Sequence, residues 1–151
     1  MTTRRGTARR SNARTTRAWV AGGVATVLAG CGADAAGPTT GDLATWELAA
    51  PASVTAETRS LDLRVTRAGC SGGVTGDVLA PRVQYEDDRV VVTTDVEPLG
   101  DGTWTCPGND AVPVTVELDE ALGDRELVDG GCLAAEAEGM RLCDDAVRWR
   151  P

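Results

Sequence analysis

In Leu61-Asp62-Leu63-Arg64-Val65-Thr66 every second residue is apolar. A strand sends successive side chains to opposite faces, so Leu61, Leu63 and Val65 share one face. Asp62, Arg64 and Thr66 share the other, the pattern of a half-buried antiparallel strand. Two more stretches repeat it. Val90, Val92, Thr94 and Val96 alternate with Arg89, Val91, Thr93 and Asp95. Val112, Val114, Val116 and Leu118 alternate with Pro113, Thr115 and Glu117. Pro113 has no N–H for a ladder bond, which predicts an edge position for its strand. Shorter strands are expected at residues 45–49, 82–85, 126–129 and 146–149. Tyr85-Glu86-Asp87-Asp88-Arg89 reads as a hairpin, and Asp101-Gly102 and Gly123-Asp124 as turns. The Ala- and Glu-rich residues 133–140 predict one or two helical turns. The expected fold is all-β: a small antiparallel β-sandwich or partly open barrel with two disulfides.

Charge is distributed very unevenly. Six of the 15 basic residues, all Arg, fall before residue 18, and the first acid is Asp34. From Cys31 onward nine Arg face all 23 acids, a net charge of -14. Such a body repels nucleic acid and anionic lipid, so no nucleic-acid partner is expected. The basic head leads into an apolar stretch, Ala18-Trp19-Val20-Ala21-Gly22-Gly23-Val24-Ala25-Thr26-Val27-Leu28-Ala29-Gly30. It is shorter than the roughly 20 residues that span a bilayer, but it suits the apolar core of a secretion signal. Arg4-Arg5 and Arg9-Arg10 read as plain leader charge, because Gly6-Thr7-Ala8 and Ser11-Asn12-Ala13 lack the apolar residues that a twin-arginine motif carries after its pair.

The stretch ends in Leu28-Ala29-Gly30-Cys31, which resembles the lipobox of bacterial lipoproteins. The resemblance implies diacylglycerol transfer to the Cys31 sulfur and cleavage between Gly30 and Cys31. Two acyl chains hold a protein stably at a membrane where one does not. The expected organisation is a signal peptide at residues 1–30, an acylated Cys and flexible tether at 31–44, and a single β domain at 45–151. The expected location is the extracytoplasmic face of the cell membrane, with the lipid anchor as the membrane contact.

With Cys31 lipidated, Cys70, Cys106, Cys132 and Cys143 remain. An even number in an exported domain reads as two disulfides with three possible pairings. The favoured pairing is Cys70–Cys106, enclosing the Asp87-Asp88 hairpin, with Cys132–Cys143 clipping the Ala-rich segment. No Cys-x-x-Cys knuckle and no His is present, which argues against a metal or a dithiol redox centre.

The chain has no His, so Ser-His-Asp and Cys-His catalysis are excluded. Ser71 in Cys70-Ser71-Gly72-Gly73 reads as a tight turn beside a disulfide rather than a nucleophile. Glu86-Asp87-Asp88, Asp119-Glu120 and Asp144-Asp145 read as solvated turn charge. Trp149 is expected inward beside Val147; Trp104 reads either as capping a disulfide or as part of an exposed contact, with packing favoured. The body also resembles a group of small exported actinobacterial proteins. The likeness lies in Cys70-Ser71-Gly72-Gly73, Cys106-Pro107-Gly108-Asn109, the 112–118 strand, Leu122-Gly123-Asp124-Arg125 and Val128-Asp129-Gly130. It implies an exported, disulfide-bonded β domain and carries over no functional residue.

These observations give the expectation of a non-enzymatic binding module of the cell envelope, with a protein or glycan partner and no cofactor. The alternatives are an envelope hydrolase using two carboxylates, or a structural, calcium-stabilised spacer.

Overall fold

The computed structural model describes residues 41–151. The leader, the Gly30–Cys31 cleavage and lipidation site and the tether through residue 40 lie outside the described residues.

Strand β2 (Ser60–Arg67) buries Leu61, Leu63 and Val65 and exposes Asp62 and Arg64, as its alternation requires. It lies between β1 (Asp42–Leu48) and β6 (Val112–Glu117), antiparallel to both. Val65 stands opposite Trp46 on one side and Val112 on the other. Pro113 does lie on an edge, because β6 closes the sheet order β5-β1-β2-β6, where β5 is Asp95–Val96. The second sheet runs β3 (Arg82–Tyr85), β4 (Arg89–Thr93), β7 (Glu126–Asp129) and β8 (Val147–Trp149). Between the sheets Trp46, Leu61, Leu63, Val65, Val90, Val92, Leu122 and Leu127 make a core with almost no exposure. Trp46 spans it, and its Nε1 donates to the Val92 carbonyl at 2.8 Å. Trp149 packs against this core from the last strand.

Four expectations need correction. The 89–96 stretch is not one strand. It leaves the second sheet after Thr93 and enters the first at Asp95, with Thr94 buried at the corner. Its alternation is misleading because both phases are buried: Val90 and Val92 face the core, while Val91, only 3% exposed, is covered from outside. The sandwich is also not wholly antiparallel, since β4 and β7 run parallel, with Val90 opposite Leu127. Parallel neighbours need a long crossover, and here the chain passes through β5 and β6 of the other sheet. The expected tether runs too far: Asp42 and Leu43 pair with Val96 and Asp95, and Ala44 is fully buried. Small residues with no apolar period carried no local strand signal, and the β5 partners of Asp42 and Leu43 lie over fifty positions away. Trp104, expected to be packed, is 44% exposed and lies against Gly102.

Within the 133–140 stretch expected to form helical turns lies one 3-10 turn, Ala135–Ala137, flanked by two more at Gly130–Leu133 and Arg141–Cys143. Cys132–Cys143 clips this segment, and Cys70–Cys106 joins the segment that follows β2 to the one that precedes β6, with Cα separations of 5.0 and 4.6 Å. The first 3-10 turn lies hard against β1. A Cβ placed on Gly131 would collide with the Ala44 carbonyl oxygen, a backbone atom with nowhere to retreat. Gly131→Ala should therefore cost about 1–3 kcal/mol. Gly69→Ala, where nothing lies within 4 Å, should leave the urea midpoint nearly unchanged; equal midpoints for the two variants would show that this approach is not tight.

Candidate functional site

Among the described residues strand β1 has a strand neighbour on its second side only at its start, where β5 ends after two residues. The backbone beyond would be left unpaired in the interior, at a cost of roughly 1–3 kcal/mol for each buried polar group. Two side chains take the place of the missing strand. Asp129, at the end of β7 and fully buried, accepts from the Trp46 N–H at 2.9 Å and from the Gly131 N–H at 3.0 Å. Arg148 of β8 donates its Nε to the Trp46 carbonyl at 2.9 Å. The two close on each other through Arg148 Nη2 and Asp129 Oδ2 at 2.9 Å. The remaining Arg148 donors go to the Leu142 and Asp145 carbonyls, so the 141–145 segment is tied to the same pair.

A second polar cluster lies where β2 ends. Arg67 continues the inward phase of Leu61, Leu63 and Val65 and is only 4% exposed. Its guanidinium ion-pairs with Asp42 and donates to the Thr75 and Glu97 carbonyls. Asn109 Nδ2 binds the Arg67 and Gly69 carbonyls at 3.0 and 2.7 Å, holding the loop of the Cys70–Cys106 disulfide. Beside this cluster run two adjoining cavities of about 300 and 330 Å³ that share Arg67, Ala68, Gly69, Cys70 and Met140. They form a groove between the two disulfide-bonded segments, with Met140 at its middle. Asp42 and Glu136 both line it. One oxygen of Asp42 is already committed to Arg67 and to the Leu99 N–H at 3.0 Å.

A third cavity, of about 190 Å³, lies on the outer face of the second sheet. Its floor is Arg82, Gln84, Val91 and Thr93, and Leu133 forms part of its wall. Asp95, 1% exposed, also lines it and ion-pairs with Arg82. Asp95 Oδ1 and Arg82 Nη2 are buried with no hydrogen-bond partner among the described residues.

Of the sites read from sequence, the four cysteines pair as favoured, and Cys70 and Cys106 border the groove. Ser71 is buried and bonded to Asn109 Oδ1 at 2.6 Å, the tight turn its glycines predicted. The acidic triplet at 86–88 and the pairs 119–120 and 144–145 are exposed. Among the described residues no cluster of three His, Cys, Asp or Glu side chains is arranged to hold a metal ion. No helix there is long and apolar enough to cross a membrane. Sequence reasoning missed Arg67, Asp95, Asp129 and Arg148. Arg67 had a signal, its phase with the buried residues of its own strand. The others become inward only through partners distant in sequence. No protein family, curated protein or solved structure matches the chain.

Burial pushes the Asp129 carboxyl above its usual range, against the opposing hydrogen bonds from Trp46, Arg148 and Gly131. The folded state then holds this proton more tightly than the unfolded chain does. The resulting stabilisation is complete below the ordinary value near 3.8 and is lost as pH rises through the raised folded value. Urea unfolding of the wild type and Asp129→Asn across acidic pH should show the wild type losing ground to the variant as pH rises. A difference that stays constant with pH would mean that Asp129 titrates alike in both states.

Proposed function

We propose that this chain is an extracytoplasmic lipoprotein, held to the cell membrane by acyl chains on Cys31, whose β body is a non-enzymatic binding module of the cell envelope. The anchor reading rests on the Arg-rich head, the short apolar stretch and the lipobox-like Leu28-Ala29-Gly30-Cys31. The observation that carries the binding reading is the state of the polar groups around the groove. The Arg67 guanidinium and the Asn109 amide are already bonded within the protein. They shape a surface, and neither is left free to act as an acid, base or nucleophile in bond cleavage. What the groove offers a partner is form and a partly apolar lining, suited to an envelope protein or glycan.

The carboxylate hydrolase survives as a second reading because Asp42 and Glu136 share one cavity. Glu136→Gln separates the two: hydrolysis of envelope glycan that this variant abolishes would replace the binding reading.

Two measurements test the proposal. Mass spectrometry of the native product should find acylated Cys31 at its terminus, and Cys31→Ala should move the protein from the membrane fraction to the soluble one. An unmodified sulfur behind an intact leader would end the lipoprotein reading. The intact chain should also retain an envelope protein or purified envelope glycan on a column. Clean blanks against both would end the binding reading.

A further inference from the structure

We infer that the free edge of β3, together with the cavity beside it, is a strand-addition site for an extended peptide segment carrying an amide side chain. This rests on the reading of the body as a binding module and names the partner's chemistry.

The first observation is the edge itself. Among the described residues β3 is the end strand of its sheet, paired only with β4. Across the hairpin the Glu86 N–H donates to the Arg89 carbonyl at 2.9 Å, which makes 86 and 89 a hydrogen-bonded pair. Such pairs recur at every second residue of an antiparallel ladder. With the observed register, Gln84 therefore exchanges bonds with Val91, and Arg82 with Thr93. Val83 and Tyr85 must then turn their N–H and C=O groups away from β4, toward the open edge. Neither finds a backbone partner among the described residues. Edge strands in this condition accept an added strand, with backbone bonds giving affinity and pockets for alternate side chains giving selectivity.

The second observation is independent of the backbone. Arg82 and Gln84 stand on the outer face of β3, so an added strand would set its own outward residues beside them. There the 190 Å³ cavity opens, over Val91 and Thr93 and against Leu133. Two of its lining residues, Arg82 and Asp95, form an incomplete ion pair: the buried Arg82 Nη2 and Asp95 Oδ1 behind the lining have no hydrogen-bond partner among the described residues, leaving a donor and an acceptor unused. Buried polar groups are normally paired. One carboxamide satisfies both at once, its carbonyl accepting from Arg82 and its NH₂ donating to Asp95. The Arg82 side chain is 41% exposed and can swing to admit it, whereas Asp95 is held at 1%. A carboxylate would meet Asp95 as a like charge, and an ammonium would leave the Arg82 donor unpaired. The amide of Gln or Asn answers both groups and suits an extended peptide.

The test uses the intact chain, isotope-labelled, with a fluorescent, end-blocked peptide of alternating Val and Thr and one central Gln. Anisotropy should report saturable binding. Amide exchange at Val83 and Tyr85 should slow at least tenfold at saturation. A peptide with Leu in place of the Gln should bind at least tenfold more weakly, the order expected when a buried donor and acceptor lose a shared partner. Binding with protection on any other strand, or equal affinity for the Leu peptide, would overturn this inference and leave the wider binding reading standing. Absence of binding would also overturn it. The wider reading falls only by blanks against envelope protein and glycan.

Discussion

The ion pair between Asp129 and Arg148 stands where a strand is missing. β1 is a central strand by burial, with Ala44, Thr45 and Trp46 nearly free of solvent, yet β5 covers only its first two residues. A buried edge of this kind is tolerable only if its amide groups are satisfied. Asp129 and Arg148 supply the acceptor and the donor that a neighbouring strand would have offered Trp46. Each charge is itself neutralised by the other. Breaking such a pair from one side leaves an uncompensated buried charge, which costs about 3–5 kcal/mol. The arrangement also joins the two sheets, because Asp129 and Arg148 belong to the second and Trp46 to the first.

At the corner at Thr94 one extended stretch serves both sheets: β4 in the second and β5 in the first. The switch brings Asp95 inward, where Arg82 meets it. It leaves the Thr94 hydroxyl, Asp95 Oδ1 and Arg82 Nη2 without partners among the described residues. The corner is thus where the polar accounting of the fold stays incomplete, and the outer-face cavity lies beside it. The groove at Met140 has the opposite character. It lies between two segments closed by disulfides, and its polar rim is held by bonds within the protein. One surface has its Arg67 and Asn109 groups bonded within the protein; beside the other a donor and an acceptor stay unused among the described residues.

Alternation identified β2 and β6 because each has one face buried and one exposed over most of its length. The hairpin at Asp87-Asp88 and the edge position of Pro113 followed from turn chemistry and from a missing N–H. These are local properties, and the structure agrees with them. The stretch 89–96 misled because both of its faces are covered, so its period carries no information about which side is core. The start of β1 was invisible because Gly41, Asp42 and Ala44 carry little strand signal without their partners.

The amino-acid order alone determined the all-β class, the main strands, the four cysteines of the β body and the absence of His-based chemistry. Periodicity, backbone donors and residue inventory are properties a chain has before it folds. Tertiary structure alone decided which carboxylates turn inward, that β4 and β7 run parallel, and where the groove and the outer cavity lie. Asp129, Arg148, Asp95 and Arg82 look like ordinary surface charges in the chain. Each becomes structural because a residue far off in sequence leaves a buried hydrogen-bonding group or charge for it to meet.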